Sequence, residues 1–316
     1  MTDLAGVFEA QRPRLFGLAY RLLGSASDAE DMVQDAFLRW SGAGQDSVQD
    51  PTAWLTTVVV NLCRNRLASA PARRERYVGT WLPDPVLTED GTLGPLETAE
   101  QRDSVSLALL TLLEQLTPRE RAVFVLRESF GYSHREIAPV VGASEAACRQ
   151  LHRRARQRLG DPQPRFQPDP VQWRRLVERF LVAAGEGDVT GLERLLAEDI
   201  TYWSDGGGKA PVARRPVMGR DRVARLFAKL IPKFAADPGF ARGAEIRQAE
   251  VNGEPALLAW IGGVLFGVIV PEIAGDRISG LRVMANPERL GFAARQAAGL
   301  SRSADLSGLL LMTDDS

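Results

Sequence analysis

The chain is predicted to be multidomain, with two all-α segments, the second a helix-turn-helix, ahead of an α+β domain. Three observations predict it. At 316 residues the chain exceeds the usual single-domain size, so two or three parts can each bury a core. Apolar residues recur at helical spacing through the first half, whereas beyond Ala244 they fall into short runs separated by turn residues. Proline-rich breaks near 70–96 and 160–170 divide the pattern. The resulting order is a helical segment 1–69, a linker 70–105, a helix-turn-helix segment 106–160, a linker 161–168, an α+β domain 169–290 and a tail 291–316.

Composition narrows the class. Apolar residues make up 45% and charged residues 25%, and no apolar run approaches the roughly 20 residues of a membrane helix. The first residues lack a basic region followed by an apolar core, so the expectation is a cytoplasmic chain without a secretory signal or a membrane partner. Cys63 and Cys148 have no second cysteine nearby, which favours structural thiols over a metal or redox pair. The net charge of -1 hides a strong alternation. Residues 1–50 carry four arginines against eight acids, 51–80 five against one, 81–115 one against seven, and 116–160 nine against four. Two basic blocks separated by an acidic linker suit two DNA contacts on one chain.

Each element has its own signal. SASDAEDMVQDAFLRW opens with capping residues and sets Ala29, Met32, Val33, Ala36, Phe37 and Trp40 at helical spacing, a core stripe. Asp31, Gln34, Asp35 and Arg39 form the opposite row, either solvent surface or a docking face. PTAWLTTVVVNLCRNRLAS follows with Pro51 at a helix start, and its length and basic end favour helix despite the β-branched residues. Within the linker, Trp81 and Leu82 of WLPDP are large apolar side chains, which favours docking on something over a locally collapsed linker. Thr117 then caps and Pro118 starts a helix. A short helix from Ser133 is closed by Gly142, and Ser144 caps a basic helix, the pattern of a helix-turn-helix that lays its second helix in the major groove. In the C-terminal part, VQWRRLVERFLVAAGEGD, VTGLERLLAEDI and GRDRVARLFAKLIPKF read as helices. The runs AEIRQAEV, PALLAWIGG, VLFGVIV and RISGLRVMA read as consecutive antiparallel strands, and the tail begins helical.

The triple glycine of SDGGGKAP invites a phosphate-binding reading, which fails: Lys209 is followed by Ala210 and Pro211, and Trp203 stands where the first glycine of a P-loop belongs. Both histidines lie in the helix-turn-helix segment, so the C-terminal domain cannot build a histidine-based triad. Asp205 as a lone general base stays open.

DAEDMVQDAFLRW resembles region 2 of bacterial sigma factors, and LTPRERAVFVLRESFGYSHREIAPVVGASEAACRQLHRRARQRL resembles their region 4. The absence of a long intervening domain resembles the extracytoplasmic-function (ECF) group. The remainder resembles a subgroup whose core is fused to an α+β SnoaL-like cone, marked by a WLPDP-type linker, a DGGGK segment and a terminal NPERL. This resemblance implies that Asp31, Gln34 and Asp35 contact core RNA polymerase and that Asn61, Arg64 and Asn65 read the minus 10 element. Ser144, Glu145, Arg149, Gln150, Arg153 and Arg154 are implied at the minus 35 element, in base or phosphate roles that sequence does not separate. By the same resemblance, Trp54 stands where housekeeping sigma factors carry an aromatic wedge, while its apolar neighbours favour a core role at least as much. The marks themselves, Trp81, Leu82, Pro83, Asp84 and Pro85, then Asp205, Gly206, Gly207, Gly208 and Lys209, then Asn286, Pro287, Glu288, Arg289 and Leu290, are implied regulatory contacts.

The expectation is thus a non-enzymatic alternative sigma factor without cofactor or metal, which partners core RNA polymerase and promoter DNA. Its C-terminal domain is expected to regulate it, with a small-molecule ligand as a further partner. Gly206 to Gly208 are read as a tight turn or as plain loop flexibility, and Lys209 as a partner for an acid or a small anion. Two other readings stand beside it: a small-molecule-converting enzyme of the SnoaL-like fold fused to a DNA-binding module, and a dimeric repressor using only the helix-turn-helix.

Overall fold

The computed structural model describes residues 4–43, 48–69, 77–89, 91–94, 99–160, 169–237 and 243–298. It divides into two compact units. One comprises Met1–Arg76 with Thr88–Pro164, the other Tyr77–Leu87 with Arg165–Ser316. The linker expected at 70–105 is therefore not one piece, since its middle belongs to the C-terminal unit. The linker expected at 161–168 lies outside the described residues.

The N-terminal unit is all helical: α1 Leu4–Leu23, α2 Ala26–Gly42, α3 Pro51–Ala68, α4 Ala99–Asp103, α5 Leu107–Leu113, α6 Pro118–Glu128, α7 His134–Val141 and α8 Glu145–Leu159. Local chemistry sets the boundaries. Asp50 caps α3 by accepting from the Ala53 amide, with Pro51 at the first helical position, so β-branched residues inside do not prevent a helix. Thr117 with Glu120 and Ser133 with Glu136 form capping boxes that start α6 and α7. The apolar stripe read for α2 is buried, while Phe37 is only half-buried. Helices α1, α2 and α3 pack together, and α3 also packs on α6 and α7.

Two buried arginines join these helices. Arg21 donates to the Ser104 hydroxyl at 2.9 Å and the Gly17 carbonyl at 3.0 Å; Arg121 donates to the Leu22 carbonyl at 2.9 Å and to Glu114 at 2.8 Å. Burial pulls both guanidinium groups down to about 10. Cys63 and Cys148 are free, buried thiols, and burial pushes both up from the ordinary thiol value.

The C-terminal unit runs α9 Pro170–Gly185, α10 Val189–Leu195, β1 Leu196–Asp205, β2 Val217–Met218, α11 Arg220–Ala235, β3 Ala244–Val251, β4 Glu254–Ile261, β5 Val264–Ala274, β6 Arg277–Met284 and α12 Pro287–Ala298. The sheet order is β2-β1-β6-β5-β4-β3. The four expected strands pair antiparallel in sequence, whereas β1 pairs with β6 in parallel, so the sheet is mixed. The stretch VTGLERLLAEDI is helical only to Leu195. Beyond it Ile200 and Tyr202 join the core and the chain enters the sheet, after an exposed Glu198–Asp199 step that reads like a helix surface. Trp173, Phe180, Phe227, Tyr202 and Leu281 form the core between helices and sheet, with Phe227 meeting both Phe180 and Tyr202 edge-on at 5.2 Å. Helix α12 crosses the expected domain edge at 290 and buries Leu290, Ala293 and Ala297, packing on β5; residues beyond 298 lie outside the described residues.

Candidate nucleic-acid interface and linker-binding site

The turn between α7 and α8 is set by Gly142, whose φ of 64° is left-handed and closes α7, and by Ser144, whose hydroxyl accepts from the Ala147 amide at 3.2 Å. Cys148, Ala155 and Leu159 bury one stripe of α8. Ser144, Glu145, Arg149, Gln150, Arg153 and Arg154 are exposed on the rest of the helix. Not all the cations stand alone: Arg149 pairs with Glu145 one turn back, and Arg158 reaches the buried Glu120 at 2.6 Å with Arg154 at 3.9 Å. His152 faces Glu128 at 2.7 Å and His134 at 3.4 Å. Burial and the facing His152, then Arg127 and Arg149, hold His134 below the usual histidine value.

On α2, Asp31, Gln34 and Asp35 are exposed together, and Leu38, 63% exposed, continues the row. On α3, Asn65 is exposed while Asn61 and Arg64 are half-buried. Arg64 donates to Asn61 Oδ1 at 3.3 Å and to the Val141 carbonyl at the end of α7 at 3.1 Å. Trp54 lies 5.6 Å from the buried ring of Trp40, which fits the core reading.

The C-terminal unit brings the three sequence marks together. Tyr77–Leu87 lies extended, with Leu82 through Leu87 buried. Asp205, at the end of β1, accepts four hydrogen bonds: from the Tyr77 hydroxyl and the Gly207 amide (3.1 Å) on one oxygen, and from the Leu82 amide (3.1 Å) and Arg289 (2.8 Å) on the other. Those four donors fill the acceptor capacity of a carboxylate, leaving no oxygen lone pair for a general base. Arg289 also donates to Asp84 at 2.6 Å, and its guanidinium stacks 4.7 Å from the Trp81 ring centre. Desolvation opposes the Arg289 charge, and Asp84 and Asp205 more than offset it, so its pKa moves up. Burial, reinforced by Asp205, pushes Tyr77 up to about 12.

Asn286 caps α12 by accepting from the Glu288 amide at 3.1 Å while its amide nitrogen donates to the Tyr77 oxygen at 2.8 Å. Pro287 starts the helix, and Lys209 ion-pairs with Glu288. The glycines are there for conformation and closeness. Gly207 and Gly208 have φ of 57° and 74°; a Cβ on Gly207 would lie 2.3 Å from Asn286, and one on Gly208 3.2 Å from Val78. Plain loop flexibility does not describe such a site.

Residues outside the sequence marks complete the strap. Asn252, itself at φ 55°, accepts from the Val86 amide at 3.1 Å and gives its own amide to the Val86 carbonyl at 2.9 Å. Gln296 clamps Leu87 through both backbone groups at 2.9 and 3.0 Å, and Leu87 bridges to Val251. Tyr77 could have been found as an aromatic one turn-length before Trp81; nothing in the sequence singled out Gln296.

Residues 7–73 match the Sigma-70 region 2 family and residues 106–159 the Sigma-70, region 4 family. The chain is 39% identical over 292 residues to the ECF RNA polymerase sigma factor SigJ of Mycobacterium tuberculosis, covering 89% of this chain and 91% of that protein. This chain belongs to the ECF RNA polymerase sigma factors. A probable ECF sigma factor of the same organism, SigI, is 32% identical, covering 91% and 94%. The crystal structure of SigJ aligns with a TM-score of 0.70 at 34% identity, covering 91% of this sigma factor and 98% of that chain. The sigma factor thus joins helical regions 2 and 4 to a SnoaL-like unit of helices on a mixed sheet. Its region 2 match contains the α2 row and Asn61, Arg64 and Asn65; its region 4 match contains every residue implied at the minus 35 element.

Proposed function

We propose that this sigma factor binds core RNA polymerase through the α2 row of Asp31, Gln34 and Asp35, reads the minus 10 element with Asn61, Arg64 and Asn65, and reads the minus 35 element with the exposed face of α8. It does so in the cytoplasm and without bond chemistry of its own. The SnoaL-like domain regulates it by holding the linker. The observation that carries this regulation is the Tyr77–Leu87 strap, seated on Asp205, Arg289, Asn252 and Gln296.

Size supports a switch. Elements about 25 base pairs apart span about 85 Å at 3.4 Å per pair, whereas a compact unit of about 150 residues has a radius of gyration near 15 Å. In the N-terminal unit Arg64 holds the Val141 carbonyl in the turn of the helix-turn-helix. A side chain engaged there is not free to capture a promoter base, so reading both elements requires α3 and α7 to part. The linker joins the two DNA-reading segments, and the strap holds the middle of that linker on the C-terminal unit. A small-molecule ligand of the SnoaL-like domain that favours the strapped or the released state shifts promoter binding accordingly.

The test is in vitro transcription with core polymerase, comparing the full chain, a chain ending at Gly160, and Asp84→Ala. Core-dependent initiation that changes in both variants is expected. Equal initiation by all three overturns the regulatory role, and no initiation from any of them, over a broad promoter library, overturns the sigma-factor reading of this chain.

A further inference from the structure

A charge block in the C-terminal unit lies outside the two matched regions, and only its first residue, Lys209, which pairs with Glu288, belongs to the strap site. Between Lys209 and Lys233, 25 residues hold five arginines and all three lysines of the chain against a single acid, Asp221. That is a local charge of +7 (8 − 1), so the other 291 residues together carry -8. The block lies on the surface. Arg214, Arg215, Arg222, Arg225, Lys229 and Lys233 are all exposed.

Helix α11 arranges four of these in a row. Val223, Ala224 and Phe227 are its buried face, and Arg222, Arg225, Lys229 and Lys233 fall at steps of three and four on the outside. The row is about 16 Å long at 1.5 Å per residue. Arg225 pairs with Asp221, while among the described residues no carboxylate pairs with Arg222, Lys229 or Lys233. Such a concentration of like charge costs self-repulsion, which an anionic partner would relieve.

We infer that the outer face of α11, with Arg214 and Arg215 just upstream, is a further nucleic-acid contact of this protein, and that its partner is the phosphate backbone of duplex DNA. Charge complementarity selects a polyanion: a duplex presents about ten phosphates over the length of the row. The apolar side of α11 is spent in the core, so the helix cannot sink into a lipid surface. Of its aromatic residues, Phe227 is buried and Phe234 half-buried, which leaves no stacking platform for single-stranded bases. With no base-reading geometry implied, the contact is independent of sequence and adds to whatever regions 2 and 4 recognise.

The test uses the full chain and a duplex without promoter elements, with affinity measured by fluorescence anisotropy from 50 to 200 mM salt. Each phosphate contact contributes about 0.9 to the slope of log affinity against log salt. Arg222→Glu/Lys229→Glu/Lys233→Glu is expected to flatten the slope by about 2.7, so that the unaltered chain loses ~40-fold more affinity over that range than the variant. The triple alanine variant should do the same, which separates contact loss from any misfolding caused by charge reversal. Arg175→Glu/Arg179→Glu/Arg194→Glu, with the same change in net charge, should leave most of the slope. An equal flattening by that control reduces the effect to net charge and overturns the inference. An unchanged slope in the α11 variants, with weaker binding to core polymerase, overturns it in favour of an acidic protein partner. Promoter-free DNA keeps this result separate from the fate of the regulatory reading above.

Discussion

Replacing Arg289 by alanine should release the linker strap. Its guanidinium lies between Asp84 and Asp205, whose side chains are 4% and 2% exposed. Removing the cation leaves two buried carboxylates facing each other across the gap, and losing one partner of a buried pair costs about 3–5 kcal/mol. The Trp81 ring loses its cation at the same time, a smaller effect. At 1.4 kcal/mol per factor of ten, opening of the strap becomes about a hundred to a few thousand times more frequent. Hydrogen exchange on the full chain reads this directly. Leu82, Val86 and Leu87 carry amides bonded to Asp205, Asn252 and Gln296, and Pro83 and Pro85 carry none. Exchange at Leu82 should accelerate most because its acceptor is the stranded carboxylate, while amides inside β4 and β5 stay protected. Arg289→Lys should recover part of the protection, since the charge returns but the fork does not. Unchanged exchange at Leu82 in a folded Arg289→Ala protein would refute the view that this ion-pair cluster holds the strap.

Further outcomes are expected from single sites. Gly207→Ala places a Cβ against Asn286 at a left-handed backbone position and should lower the stability of the C-terminal unit by about 2 kcal/mol or more in denaturant melts. Gly42→Ala, with nothing within 4 Å, should be neutral or slightly stabilising. Glu120→Ala removes the capping box at the start of α6 and should cost about 1–2 kcal/mol in thermal unfolding; the half-exposed Arg158 adds little. His134 has a folded-state pKa below its unfolded value, so its contribution to stability is present above about 6.5 and is lost as pH falls through the folded value. Melting temperature should therefore decline from pH 7 to 5.5, and His134→Gln should remove part of that decline.

The sequence by itself determined α2, α3, α6, α7, α8, α9 and α11 and the order of the parts, whereas α1, α4 and α5 were not read from it. Capping residues, helical apolar spacing and the Gly142 turn act within a few residues of one another, so Thr117, Ser133, Ser144 and the α8 stripe were legible without any tertiary contact. The meander β3 to β6 was legible for the same reason, because turn residues and a two-residue period are local. The parallel pairing of β1 with β6 was not, since it joins segments some 80 residues apart and the exposed Glu198–Asp199 step reads like a helix surface. Which linker residues dock could be suspected from Trp81 and Leu82, yet where they dock is a long-range fact. Asp205 meets Leu82 across 123 positions and Gln296 meets Leu87 across 209, and side-chain partners at such separation leave no spacing pattern behind. Tertiary structure alone decided that the triple glycine serves a close approach of Asn286 and Val78, and that Arg64 rests on the helix-turn-helix turn. The physical reason is common to all of these: local propensity is written in neighbouring residues, whereas satisfying a buried charge or a buried amide depends on whichever distant group the fold delivers to it.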